Sequence, residues 1–374
     1  MLFEFATATR IAYGPGTVRE VPRATKTLGR RAILVTGSRP SDFEPGRIVL
    51  RITGEPTVDQ IRKGVQFARE NECDHVISLG GGSVIDAGKA IAALLANGPE
   101  PLDYLEVIGK GEPLANPSVP FIAIPTTAGT GSEVTRNAVL ASPEHGAKAS
   151  LRSPHMLPTL AIVDPELTYN LPPAITASTG LDALTQVIEP YVSIKANPLT
   201  DGFCIEGLRR ASTALLRAYK NPHDTEARAD MSLTSLLSGL ALANAGLGAV
   251  HGFAAPIGGM FPAPHGAVCA ALLPAATKVN IEALRARSPL SESLARYETI
   301  ARILTGHRQA TADDAVQWLS ETCDALEIPP LRTYGITQQH IPDLIAKAAK
   351  ASSMKGNPIK LSEQELHEIL ERSL

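Results

Sequence analysis

Hydrophobic residues in the first half of the chain form short, unbroken runs that end at turn residues. Such runs are typical of strands buried on both faces of a parallel sheet. Helical stretches separate them, and this alternation predicts an α/β layer with a parallel sheet. The predicted strands are 31–36, 75–79, 121–124 and 161–164, with shorter strand-like runs at 3–5 and 10–13, and the predicted helices are 56–71 and 84–95.

The pattern changes after Leu171-Pro172-Pro173. From residue 174 onward, Ala, Leu, Arg and Glu dominate and β-branched runs largely disappear. The last predicted helix starts at Ser362 with Glu365 three residues later, which is a capping-box pattern. We therefore predict an α/β domain over 1–168 and an all-helical domain over 169–374. The predicted helices of the second domain are 199–219, 225–245, 292–305, 311–326 and 362–373.

Composition narrows the function classes. The 374 residues are 44% hydrophobic and 20% charged, which is typical of a globular protein. The net charge of −3 gives no electrostatic case for nucleic acid or an anionic membrane. No signal peptide and no apolar stretch of about 20 residues is evident. Four scattered cysteines without a CxxC pair are typical of reduced thiols, so we expect a soluble cytoplasmic protein.

Two loops of small residues follow predicted strands. Gly80 to Ser83 lies between a strand and a helix, where backbone N–H groups and the helix dipole favour a phosphate. Ile85 stands where the usual dinucleotide fingerprint has its third glycine. A tight structural turn therefore remains a second interpretation. A second loop, 126–132, could hold a phosphate or a carboxamide, and ligands of open α/β sheets bind at such strand ends.

A carboxylate and two histidines form a candidate metal site. Asp182 and Gln186 are four residues apart, so on a helix they share one face. His251 and His265 are separated by glycines and prolines, so we expect His265 to begin a new helix. One carboxylate and two imidazoles suit zinc or ferrous iron. A structural pair of histidines is the alternative.

Several long motifs together resemble the iron-containing (group III) alcohol dehydrogenase family, nearly end to end and in the family's order. The resemblance implies an N-terminal dinucleotide domain, a C-terminal helical domain with the metal, and a cleft between them. It also implies reversible hydride transfer between NAD(P)H and an alcohol–carbonyl pair, and it makes a homodimer the expected assembly. The matching stretches are 10–16, 80–86 (GGGSVID), 125–135 (PTTAGTGSEVT), 163–167, 180–185 (GLDALT) and 251–266 (HGFAAPIGGMFPAPHG).

The resemblance also implies roles for individual residues. The pyrophosphate would lie on Gly81, Gly82 and Ser83. The metal, Fe²⁺ or Zn²⁺, would be held by Asp182, His251 and His265, which are also the expected catalytic residues. Residues expected to line the ribose and the nicotinamide are Asp86, Thr126, Thr127, Thr130, Asn137 and Lys148.

Three positions depart from the family pattern. Gln186 occupies the place of the family's second helix ligand, a histidine, and an amide oxygen is a weak ligand. The similar glycerol dehydrogenase branch manages with one Asp and two His, so three ligands could suffice, with the ion bound more weakly. Ala255 stands where many members have a histidine, so protons would come through water, a ribose hydroxyl or the substrate. The segment 37–54 looks short for the family and lacks most of one helix.

The end of the first long strand predicts the cofactor. NAD-specific relatives usually carry Asp where this chain has Gly37, and Ser38 and Arg39 follow. Without that carboxylate, and with hydrogen-bond donors on Ser38 and Arg39, this strand end favours binding of a 2′-phosphate. We therefore expect NADP to be accepted, in modest preference to NAD. The alternative is that Arg39 is a solvated loop residue.

Three rival functions remain open. Gln186 favours a metal-independent reductase resembling maleylacetate reductases, whereas the intact Asp182, His251 and His265 oppose it. A lyase resembling dehydroquinate synthase shares a related fold, but the motif at 125–135 favours a dehydrogenase. A non-catalytic nucleotide-binding relic is the third. The sequence does not identify the substrate or the physiological direction.

Overall fold

The computed structural model describes residues 2–38 and 47–374. These residues form two compact units. One is an α/β unit within Phe5–Tyr169, and the other is a helical unit that comprises residues 2–4 and Asn170–Leu374.

A six-stranded parallel sheet forms the centre of the α/β unit. Its strand order is β1-β8-β5-β4-β2-β3, so β1 and β3 form the two edges, and the chain returns from β3 to β4 and then runs through β5 to β8 beside β1. The strands are β1 (Ile11–Tyr13), β2 (Ala32–Thr36), β3 (Ile48–Arg51), β4 (His75–Gly80), β5 (Phe121–Pro125) and β8 (Leu160–Val163). All five pairings are parallel, which confirms the predicted α/β class.

Side chains from both faces of this sheet are buried, which explains the unbroken hydrophobic runs. Ile33 and Val35 of β2 belong to the core beneath α2 (Val58–Glu70) and α3 (Gly82–Asn97). Leu34, between them, belongs to the core on the opposite face, which α1 (Val21–Leu28) covers. Successive side chains of a strand point to opposite faces of the sheet. When both faces are covered, every position is buried, and the strand shows a continuous hydrophobic run instead of alternating hydrophobic and polar residues.

A two-stranded antiparallel hairpin extends the α/β unit. It pairs β6 (Asn137–Ser142) with β7 (Ala147–Arg152). Gly146 ends the turn at φ 55°, a left-handed conformation that glycine adopts readily. The sequence pattern did not predict this hairpin.

The helical unit contains nine helices in its described residues. Five of them correspond to the five helices predicted for this domain. Together with α2 and α3 of the α/β unit, all seven predicted helices are present, and their ends lie within two residues of the expected ones. The nine are α4 (Pro173–Val192), α5 (Pro198–Lys220), α6 (Thr225–Ala245), α7 (Ala249–Met260), α8 (His265–Arg287), α9 (Glu292–Thr305), α10 (Ala312–Ala325), α11 (Ile341–Ala348) and α12 (Glu363–Ser373).

Capping chemistry fixes several of these helix starts. The Ser362 side chain accepts from the Glu365 N–H, and the Glu365 carboxylate accepts from the Ser362 N–H, so the predicted capping box is present. His265 is the first residue of α8, which confirms the new helix predicted there. Phe261–Pro264 interrupts the two helices because its prolines cannot donate to a helical ladder.

Helix α8 is long and apolar enough, by composition alone, to cross a membrane, and the pair α6 and α7, bent by 98°, passes the same test together. In the structure, 78% of the most apolar window of α8 is buried inside the protein. A mostly buried apolar helix is the core helix of a folded unit.

Two local expectations need correction. Residues 3–5 form no strand, because Leu2 and Phe3 are exposed and pair with nothing in the sheet. The segment 37–54 contains an unpredicted strand, β3, near its C-terminal end. Arg39, expected to contact a 2′-phosphate, lies outside the described residues.

Candidate functional site

Three helices of the helical unit bring the predicted metal ligands together. Asp182 lies in the middle of α4, His251 in the first turn of α7, and His265 at the start of α8. Gly266 permits α8 to approach α4 closely, since a β-carbon there would lie 2.5 Å from the Ser178 carbonyl oxygen. The residues thus converge although 83 positions separate the first from the last (265 − 182).

The donor atoms of these side chains are at close range. Oδ1 of Asp182 lies 3.4 Å from Nε2 of His251 and 3.7 Å from Nε2 of His265. That Oδ1 is buried and makes no hydrogen bond. A buried polar atom without a partner is costly, and a cation beside it would satisfy it. The donor set therefore fits a divalent metal.

A fourth side chain belongs to the same cluster. Cys269 is fully buried, and its Sγ lies 3.7 Å from Nε2 of His265 and 3.8 Å from Nε2 of His251. The donor atoms of Asp182, His251, His265 and Cys269 all lie within 4.8 Å of one another. Sequence analysis grouped Cys269 with the scattered thiols. Its position four residues after His265 on one helix was the signal that could have identified it.

Glu189 orients His251 from behind. Its Oε2 lies 2.7 Å from Nδ1 of His251, and its Oε1 accepts from the N–H of Val250 at 2.8 Å. An imidazole that donates from Nδ1 to a carboxylate keeps the lone pair of Nε2 for a metal. Glu189 follows Asp182 by seven residues on α4, which places both on one face.

The charges of this cluster are coupled. Burial would raise the pKa of the Asp182 carboxyl, but His265 and His251 hold it below its usual value. The Cys269 sulfur and the Asp182 carboxylate raise the pKa of His265 to about 9, against the effect of burial. Burial would lower the pKa of His251, yet Cys269 and Glu189 raise it well above its usual value. The cluster therefore favours bound positive charge.

Gln186 occupies the helix face of Asp182 one turn later, as expected. Its side chain is buried, and its Oε1 accepts a hydrogen bond of 2.9 Å from the Ser238 hydroxyl on α6. Its role as a metal ligand stays a prediction. Ala255 lies one turn after His251 on α7 and is exposed. Because alanine has no ionisable side chain, this position cannot donate a proton.

The two small-residue loops of the α/β unit lie side by side. Strands β4 and β5 pair with Gly80 opposite Pro125, and the Thr126 N–H donates to the Gly80 carbonyl at 3.0 Å. Thr130 contacts the loop again, since a β-carbon on Gly82 would lie 2.8 Å from its Oγ1. Gly81 is the N-cap of α3 and offers no side-chain cap, so the first N–H groups of the helix stay available to a ligand.

The expected third glycine of the fingerprint has a counterpart at another position. A β-carbon on Gly88 would collide with the Ser78 hydroxyl of β4, so this glycine lets α3 pack directly on the strand. In dinucleotide folds the third glycine serves that helix–strand contact. Ile85, which stands where the usual fingerprint has its third glycine, is buried in the hydrophobic core.

Asp86 joins the second loop to α3. One carboxylate oxygen accepts from the Ser132 hydroxyl and the other from the Val139 N–H at 2.9 Å. Burial raises its pKa. Lys89, one turn later, is fully buried and donates to Ser132, Thr135 and the Asn137 carbonyl. These contacts hold the loop rigidly, and sequence analysis missed the contribution of Lys89.

The remaining expected cofactor residues lie on the hairpin and at the end of β2. Asn137 begins β6, and Lys148 of β7 pairs with Glu55 at 2.5 Å. Gly37 directly follows β2, and its carbonyl accepts from Arg51 at 3.0 Å. None of the residues that the structure describes lies within 4 Å of the position that a β-carbon of Gly37 would take. Contact of these residues with a cofactor stays a prediction.

Two family models match the chain. The iron-containing alcohol dehydrogenase model matches residues 8–165, and the C-terminal model of the Fe-containing alcohol dehydrogenase family matches residues 176–374. Together they span nearly all of both units.

Individual relatives extend this similarity. Alcohol dehydrogenase 4 of Schizosaccharomyces pombe is 37% identical, with 85% of this chain and 73% of the relative covered. The crystal structure of a 1,3-propanediol oxidoreductase superposes with a TM-score of 0.91 at 31% identity, with both chains fully covered. Sulfoacetaldehyde reductase of Bifidobacterium kashiwanohense, solved with NAD⁺, gives a TM-score of 0.85 at 29% identity, with 100% and 99% covered.

Proposed function

Because the chain belongs to the iron-containing alcohol dehydrogenase family and is an oxidoreductase, we propose that it is a metal-assisted, NAD(P)-dependent enzyme that interconverts a small alcohol and its carbonyl compound. The observation that carries the metal-assisted part is the buried Asp182 oxygen, which lacks a hydrogen bond and faces two imidazoles. The metal-independent reductase and the non-catalytic relic would leave that costly arrangement without a purpose.

The α/β unit binds the cofactor in this proposal. Gly81, Gly82 and Ser83 present the free N–H groups of α3 to the pyrophosphate. Thr126, Thr127 and Thr130 offer hydroxyls beside them. Asp86, with both oxygens engaged by the protein, supports the loop, and a rigid loop holds the nicotinamide ring in one orientation for hydride transfer.

The helical unit polarises the substrate. Asp182, His251 and His265 would hold a divalent ion, Fe²⁺ or Zn²⁺, which supplies Lewis-acid polarisation of the carbonyl oxygen when bound. Glu189 keeps Nε2 of His251 directed at the other donor atoms. Ala255 provides no proton donor, so the alkoxide proton comes from water, a ribose hydroxyl or the substrate itself.

We extend the proposal to the choice of cofactor. The open space beside Gly37 and the absence of a carboxylate at that position leave room for a 2′-phosphate. Arg51, which contacts the Gly37 carbonyl, brings a guanidinium to the same strand end. NADPH is accepted, with a modest preference over NADH.

Cytoplasmic location and a homodimer complete the proposal. Support for the first comes from the four cysteines, all of which are unpaired; a reducing compartment keeps thiols in that state. Sedimentation or light scattering of the purified protein measures the assembly directly.

One experiment separates the proposed function from its rivals. The purified enzyme is assayed for NADPH and NADH oxidation on a panel of aldehydes and ketones, and its metal content is measured by elemental analysis in the same preparation. We expect reductase activity with about one zinc or iron ion per chain. Activity without metal would support the metal-independent reductase. Bound metal with NAD but no hydride transfer on any carbonyl would support the lyase. The absence of both metal and hydride transfer would support the non-catalytic relic.

A further inference from the structure

Cys269 occupies a position in the cluster that sequence similarity does not explain. It lies one turn after His265, so both side chains project from the same face of α8. Its thiol is fully buried and is oriented toward the two histidines. Of the residues that the structure describes, only Asp182, His251, His265 and Cys269 form a group of three or more metal-binding side chains of this kind.

Four of the six distances among these donor atoms are close to those of a tetrahedral site. Zinc binds nitrogen and oxygen at about 2.0–2.2 Å and sulfur at about 2.3 Å, so adjacent ligand atoms of a tetrahedron are ~3.4 Å (N and O) or ~3.6 Å (N and S) apart. The structure has 3.4 and 3.7 Å from the Asp182 oxygen to the two imidazoles. From the sulfur to the same nitrogens it has 3.8 and 3.7 Å. The four donor atoms, all within 4.8 Å of one another, are thus close enough to share one ion.

Gln186, the alternative fourth donor, is already engaged. Its amide oxygen lies 2.9 Å from the Ser238 hydroxyl, whose single hydrogen it shares with the Ser235 carbonyl within α6. A neutral amide oxygen is also a poor partner for zinc compared with a thiolate.

We propose that Cys269 is the fourth protein ligand of the metal, in the place of the histidine that Gln186 replaces, and that it directs the site toward zinc. The inference rests on the proposed metal-assisted function and deepens it. Asp182 and Cys269 then supply two negative charges, which balance the dication in a buried site. A thiolate is a soft donor that favours zinc over ions that prefer oxygen ligands. Such a site would have to expand its coordination to admit the substrate oxygen, as zinc sites can do during catalysis.

Cobalt(II) reports the ligand set directly, because a thiolate bound to it gives a charge-transfer absorption in the near ultraviolet. The metal-free protein is titrated with Co²⁺ and then with Zn²⁺ as competitor. Cys269→Ser is compared with Cys204→Ser, because Cys204 is also a fully buried helical cysteine of the same unit. We expect the absorption in wild type and Cys204→Ser and its loss in Cys269→Ser. Zinc affinity should fall in Cys269→Ser by more than the ~10–100-fold typical of outer-shell partners.

X-ray absorption at the zinc edge of the wild-type enzyme gives a reading that does not depend on the variant folding. We expect one sulfur scatterer at about 2.3 Å. Stoichiometric metal with no sulfur neighbour and no charge-transfer band would overturn the role of Cys269 while leaving the metal site and the proposed function intact. Failure of the wild-type protein to bind Co²⁺ or Zn²⁺ at all would overturn both.

Discussion

Nδ1 of His251 lies 2.7 Å from Oε2 of Glu189, and both side chains are buried. This contact joins α7 to α4 and fixes which imidazole nitrogen faces the candidate metal centre. The carboxylate also accepts from the Val250 N–H, so it anchors the first turn of α7. The position of the ligand is thus built into the packing of two helices.

Glu189→Gln should weaken metal binding without unfolding the protein. The amide keeps an acceptor for Val250 but loses the charge that strengthens the imidazole as a donor. We expect a loss of about tenfold in zinc affinity, measured by competition with a chelator. Glu282→Gln, on the surface of α8 beside Lys278, serves as the control. Equal affinities in the two variants would show that Glu189 has no such role.

Gly82→Ala should weaken cofactor binding. The added β-carbon would lie 2.8 Å from Thr130, so it displaces a side chain of the neighbouring loop and narrows the phosphate space. We expect at least ~10-fold weaker NAD(P)H binding by fluorescence titration, about 1.4 kcal/mol. Gly202→Ala is the control, since nothing lies within 4 Å of its added carbon. Unchanged affinity in Gly82→Ala would remove this loop from the cofactor site.

Gly37→Asp should shift the cofactor preference toward NADH. No described residue lies within 4 Å of the added β-carbon, so the new carboxylate fits among them, and it would repel a 2′-phosphate. A charge-assisted contact is worth roughly 1.5–3 kcal/mol, so the ratio of kcat/KM values should change by about ten- to a hundredfold. Arg51→Gln and Arg39→Ala should weaken NADPH while sparing NADH. A wild-type preference for NADH that none of these changes alters would contradict the assignment.

Glu133 should make the stability of the protein fall as pH rises. Burial raises the pKa of its side chain from 4.5 to about 7. The unfolded chain loses this proton near the ordinary glutamate pKa of 4.5, whereas the folded chain keeps it until about pH 7, so the folded state binds more protons in between. Across that window the free energy of unfolding should decrease by on the order of 3 kcal/mol relative to Glu133→Gln. Urea unfolding of both proteins from about pH 5 to about pH 8 tests this, and parallel curves would contradict it.

Local rules in the sequence predicted most of the fold. Buried runs such as 75–79 identified strands, and capping residues such as Ser362 identified helix ends, because both signals depend on neighbouring positions. Strand β3 and the hairpin of β6 and β7 were missed. Strand β3 has four residues and none is fully buried, and β6 and β7 bury only alternate positions, so none of the three forms an unbroken hydrophobic run.

The candidate site was predictable where motifs carried it and not where helix packing created it. Asp182, His251 and His265 were identified by their motifs. Cys269 and Glu189 belong to the site because α4, α7 and α8 pack together there. Spacing along one helix shows which residues share a face, but it does not show which other helix that face contacts. Gly88 was missed for a similar reason, because the close contact of α3 with Ser78 depends on where the helix crosses the sheet.

His265→Ala tests the central claim most directly, since this side chain would bind the metal and is partly accessible. Bound zinc or iron and carbonyl-dependent NAD(P)H oxidation are measured on the same samples of wild type and variant, with His367→Ala, an exposed histidine of α12, as the control. We expect that His265→Ala loses both the metal and the activity while the control keeps both. A metal-free His265→Ala protein with full activity would contradict it.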